Sequence, residues 1–175
     1  VRGLLEYSAE RVDGGLVLRL LLRSSAAERS ADVSLFLTFL LAQVGLPAAA
    51  AQYGRLARQL DPLSPLAVAV GAFPPVMVGS GEDALPELAA VAARFPEAQI
   101  VRGLLGMLQA TVGWTDEAAE TLRTCAPEGV YGPLKELLRR ALAGDRAGVL
   151  ALAADPELRR AAERDDQYSW TLAQA

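Results

Sequence analysis

Histidine and asparagine are absent from this 175-residue chain, which holds one Cys, one Lys and one Ile: Cys125, Lys135 and Ile100. Each absence excludes a class of function. Without His the chain lacks the commonest acid–base group near neutral pH and the commonest metal ligand. A single Cys rules out a disulfide framework and a thiolate zinc site. With no His beside it, Cys125 has no activating base, and its expected role is a packed structural thiol. Phosphate-loop chemistry is missing as well, because Gly79-Ser80-Gly81 is not followed by Lys-Ser/Thr. Ser24, Ser25, Ser34, Ser80 and Ser169 lack the flanking residues of a nucleophile elbow. Basic residues number 17 against 21 acidic, a net charge of −4, which argues against a nucleic-acid partner. The expectation is no enzyme activity, no metal and no cofactor.

The residues that are present describe a folded chain. At 52% hydrophobic it cannot be intrinsically disordered, and its length suffices to bury a core. The Ala/Leu/Arg bias fits a bacterial source of high GC content. Residues 33–54 and 62–81 carry no charge and are long enough in principle to cross a bilayer. Gly45-Leu46-Pro47 interrupts the first, and Pro65, Pro74 and Pro75 interrupt the second, so no membrane span is expected. The chain begins at Val1 with no signal peptide, which suggests a processed chain or a piece of a longer one; the default compartment is cytoplasmic.

Self-similarity is the main feature. Gly45, Gly79 and Gly113 are 34 residues apart, as are Ala50, Ala84 and Ala118, and Pro62 and Pro96 repeat the interval. A period of that length marks a helix–turn–helix repeat. Glycine at the turn accepts the positive φ where a helix ends, Ala lets two helices approach, and Pro fixes the stop. Ser64-Pro65 reads as a cap followed by Pro at the first helical position. Asp116-Glu117, Glu82-Asp83 and Asp165-Asp166 read as carboxylates at helix starts rather than acid–base pairs. Helices are predicted at 32–44, 47–60, 65–78, 83–94, 97–112 and 115–125. A further hairpin is predicted at 131–143 and 146–153, turning at Gly144-Asp145, with short helices at 156–164 and 167–175. Residues 1–30 form either another helical hairpin or a β-hairpin around Asp13-Gly14-Gly15, with helix preferred. Two prolines after Phe73 should end or bend the helix there; the break is a local one with no role of its own, or alternatively it widens a groove or docks a partner.

On these residues the chain resembles the tetratricopeptide repeat family. The pattern matches at Gly45, Ala50, Ala57 and Pro62, then at Gly79, Ala84, Val91 and Pro96. It matches again at Gly106, Gly113, Ala118 and Cys125, with Pro127 arriving early. The resemblance implies an all-α fold of antiparallel hairpins stacked as a right-handed solenoid in a single domain. Its repeats would be 31–64, 65–98 and 99–130, with an irregular hairpin and cap at 131–175. Residues 59–65, together with 142–146 and 165–173, are similar to repeat regions that follow a bacterial Ser/Thr kinase, cyclase or winged-helix domain. In that comparison the chain stops inside a would-be helix, as a fragment or a capping helix, leaving Trp170 and Leu172 for self-association.

The resemblance implies a non-catalytic interaction scaffold with an apolar concave groove. In the family's phase the groove positions are Leu35, Phe39, Leu66, Phe73, Val76, Ile100 and Met107, with Phe39, Phe73 and Met107 in register. An apolar stripe at helical spacing is also what a core face looks like. The partner would be a protein or peptide with an apolar segment, or a second copy. Repeats of this family that clamp a C-terminal carboxylate do so with Lys and Asn, so that mode is not expected here. Arg139-Arg140 and Arg159-Arg160 read as solvated helix faces. The alternative is a regulatory region of a larger bacterial signalling enzyme, a Ser/Thr kinase or cyclase, whose catalytic domain lies outside these residues.

Overall fold

In the computed structural model, residues 14–125, 132–156, 158 and 159 are described. Ten α-helices occur among them: α1 (Gly14–Ala27), α2 (Ala31–Gln43), α3 (Pro47–Leu60), α4 (Pro65–Gly71), α5 (Phe73–Met77), α6 (Leu85–Arg94), α7 (Gln99–Thr111), α8 (Thr115–Arg123), α9 (Gly132–Leu142) and α10 (Arg146–Ala153). A short 3-10 turn, Glu82–Ala84, precedes α6, and no strand occurs among the described residues. The Leu16–Leu22 run lies inside α1, so this arm of the ambiguous N-terminal hairpin is helical; residues 1–13 lie outside the described ones. Trp170, Leu172 and the helix expected at 167–175 also lie outside them.

Local chemistry places the helix ends. Ser30 accepts the Val33 amide at 3.5 Å to cap α2, and Ser64 accepts the Ala67 amide at 3.3 Å ahead of Pro65 to cap α4. Asp145 does the same for α10, accepting the Gly148 amide at 2.9 Å. Each cap satisfies an amide that the first helical turn leaves without a partner. Four helices end on a glycine of positive φ: Gly45 (78°), Gly79 (75°), Gly113 (86°) and Gly144 (71°). At each, the glycine N–H donates to the carbonyl three residues back and the next N–H to the one five back, at 2.8–3.2 Å. This is the Schellman arrangement, and only glycine adopts its backbone angle without cost.

Two compact units result, Val1–Ala84 and Leu85–Ala175. Their boundary falls inside the second 34-residue repeat. In the first unit α2 and α3 pack as a hairpin, α1 covers α2, and α4 and α5 lie against both α2 and α3. Its interior includes Val17, Leu21, Leu37, Leu41, Ala50, Ala57, Ala69 and Phe73. In the second unit α7 and α8 form a hairpin flanked by α6 and α9, and α9 turns into α10. Met107, Leu122 and Leu138 pack together there, with Leu142 at their edge. Gly106 is small where α7 meets α8: a Cβ would lie 2.7 Å from Leu122 Cγ.

The helix expected at 65–78 is broken at Ala72 into α4 and α5. Pro74 and Pro75 have no N–H, so the carbonyls of Val70 and Gly71 lose the donor four residues on. The regular helix is interrupted there, and both prolines line the surface described next.

Candidate functional site

An open cleft of about 500 Å³ lies in the first unit between α3 and the α4–α5 segment. That size falls within the range of ligand clefts, about 300–1,000 Å³. From α3 it is lined by Pro47, Ala48, Ala51, Gly54, Arg55 and Arg58. The spacing of these residues by three and four puts them on one helix face. The opposite wall is Gly71, Pro74, Pro75 and Val78, again at helical spacing, with Ser80 beyond. The floor is built of glycine. A Cβ on Gly54 would lie 3.4 Å from Thr38 Cγ2 and 3.5 Å from the Gly71 Cα, so here α3 and α4 approach with almost no side chain between them. Beyond Ala72 the wall continues as α5, which presents Pro74 and Pro75 to the cleft.

The cleft has two unlike ends. Pro47, Ala48 and Val78 make one end apolar, and Val78 is 57% exposed. Arg55 and Arg58 line the other, beside Gly71, where the Arg58 Cδ would lie 3.6 Å from an added Cβ. The Arg58 stem therefore rests on α4 because Gly71 leaves room for it. Arg55 makes no hydrogen bond or ion pair among the described residues. Among the described residues no carboxylate lines the cleft. Ser80 is oriented by its own backbone, its N–H and Oγ donating to the Pro75 carbonyl at 2.9 and 3.2 Å.

The seven residues singled out from the sequence occupy other places. Leu35, Phe73, Val76 and Met107 are buried, Phe39 and Leu66 are half-buried, and Ile100 is exposed. Phe39 and Phe73 do meet, with ring centroids 5.6 Å apart and planes tilted by 51°, an aromatic pair within the first unit. Met107 faces Leu122 and Leu138 in the second unit. Arg55 and Arg58 were not picked out from the sequence. The signal that could have found them is the 48, 51, 55, 58 face of α3, opposite the flagged proline pair.

Several other polar groups have structural partners, while the buried Gln43 Nε2 and Gln109 Oε1 have none among the described residues. Ser34 and Thr38 donate to carbonyls one turn back, at 2.8 Å each. Cys125 is half-buried; burial pushes its thiol up, and the nearby Lys135 and Arg102 charges only partly offset this. A thiol held protonated in this way is a poor nucleophile. Arg139 and Arg140 both bind Glu136. No group of three or more potential metal-ligating Cys, Asp or Glu residues occurs among the described residues, and none of their helices is long and apolar enough to cross a membrane. Comparison with protein-family models, curated proteins and solved structures finds no match.

Proposed function

We propose that this chain is a non-catalytic interaction module of the tetratricopeptide-like kind, its hairpins stacking as a solenoid, and that it acts in the bacterial cytoplasm by holding an apolar segment of a partner protein. The observation that carries this reading is the cleft between α3 and α4–α5, a preformed concavity with apolar walls and few polar groups. The recurrence of one helix-ending turn at four glycines supports the repeat architecture. The absence of His from the sequence and the backbone-bound Ser and Thr hydroxyls support a role without catalysis. Such a module serves equally as a stand-alone adaptor or as the regulatory part of a larger signalling enzyme.

The test is panning of a phage-displayed random peptide library on the intact chain, with Ala48→Trp as the blocked control. Ala48 is exposed at the apolar end, so the substitution fills the cleft without touching the interior. Peptides enriched on the intact chain and not on Ala48→Trp support the reading. Equal recovery on both chains overturns it.

A further inference from the structure

Resting on the reading of the cleft as a binding site, we propose that its occupant is an extended acidic peptide segment, apolar side chains at one end and carboxylates at the other. Two observations carry this. First, the only charged residues lining the cleft among the described residues are Arg55 and Arg58, on a chain whose net charge is −4. The cleft is thus locally opposite in sign to the molecule, and Arg is the side chain best suited to bind carboxylates in a bidentate way. Arg55 is exposed and unpaired among the described residues, so it can bind an added carboxylate without giving up a partner. Second, the lining residues run along α3 from Pro47 to Arg58. From Ala48 to Arg58, α3 rises by roughly 15 Å, the span of about four or five extended residues. An extended segment of that length reaches both ends, apolar against Ala48 and Val78 and anionic beside the arginines.

Peptides recovered from the library on the intact chain test this separately from the module reading. The expected result is enrichment of Asp or Glu beside Leu, Val or Phe. Neutral or basic peptides that still bind in the cleft overturn the acidic occupant while the module stands; no cleft-dependent peptide at all overturns both. The dissociation constant of an enriched peptide is then measured on an Arg55→Gln/Arg58→Gln chain, its fold checked by circular dichroism. A loss of at least tenfold is expected, with partial recovery in Arg55→Lys/Arg58→Lys. Val78→Glu, at an exposed site, should weaken the same peptide by replacing the apolar contact at that end with a hydrated charge. Unchanged affinity in the Gln variant overturns the proposal. So does a concentration-dependent dimer of the intact chain that Ala48→Trp abolishes, since a second copy would then be the occupant.

Discussion

A Cβ added at Gly113 would meet nothing within 4 Å, yet the φ there is 86°. The glycine is required by its backbone angle and not by space. Gly113→Ala should therefore cost about 1 kcal/mol, and Gly113→Asn less, because Asn tolerates the left-handed region better. Urea unfolding of the two variants checks the order. Gly81 is the opposite case: its added Cβ would lie 2.6 Å from the Val76 Cα, a backbone atom that cannot turn away. Phe73 is 3% exposed and paired with Phe39. Phe73→Ala should cost about 3–5 kcal/mol, with a smaller loss for half-buried Phe39→Ala, read from the same unfolding curves. The glycine roles were legible in the sequence, since a repeated Gly between helical patterns has a backbone meaning by itself. The burial of Phe73 was not, because a 3.6-residue stripe looks the same whether it faces a partner or the next layer of the same chain.

Among the elements, the α4–α5 break follows from two missing amide protons. Pro74→Ala/Pro75→Ala restores the donors toward Val70 and Gly71. The expected outcome is one continuous helix, seen as slower amide exchange across residues 71–77, with library-selected peptides bound more weakly because both prolines line the cleft. If exchange is unchanged, the prolines do not cause the break. Helix α9 carries a different device. Glu136 accepts two hydrogen bonds from Arg139 and one from Arg140, at 2.7–2.8 Å. Its carboxyl is held down from 4.5 to about 2: the Arg139 hydrogen bond is the largest cause, partial burial opposes it, and Arg140 adds to it. A depressed acid stabilises the fold above its unfolded pKa and loses that contribution as pH falls through the folded value. These side chains are 32–49% exposed, and solvent screening limits the effect to about 0.5–1 kcal/mol. Glu136→Gln should thus be less stable than the parent at pH 7 and equal to it near pH 2, by thermal melts across that range.

At the scale of the whole molecule, net charge and local charge oppose each other, and this predicts how binding responds to salt. An acidic peptide in the α3–α5 cleft should bind roughly tenfold more weakly at about 0.5 M than at about 0.05 M NaCl, because Arg55 and Arg58 are exposed and screened. Titration calorimetry at the two salt levels measures it, and an affinity indifferent to salt would assign the energy to the apolar walls alone. The sequence by itself determined the helical class, most helix limits, the hairpin glycines, the Ser64-Pro65 cap and the interruption after Phe73. Each of these depends on residues within one or two turns of one another, where a backbone angle or a missing donor leaves few alternatives. Only the tertiary structure decided which apolar residues of the stripe became interior and where a concavity opened. Those outcomes depend on which helix faces meet: Gly54 against Gly71 brings α3 and α4 together, and Pro74 and Pro75 line the cleft beside them. No local pattern specifies such a pairing, because it is settled by the packing of residues distant along the chain.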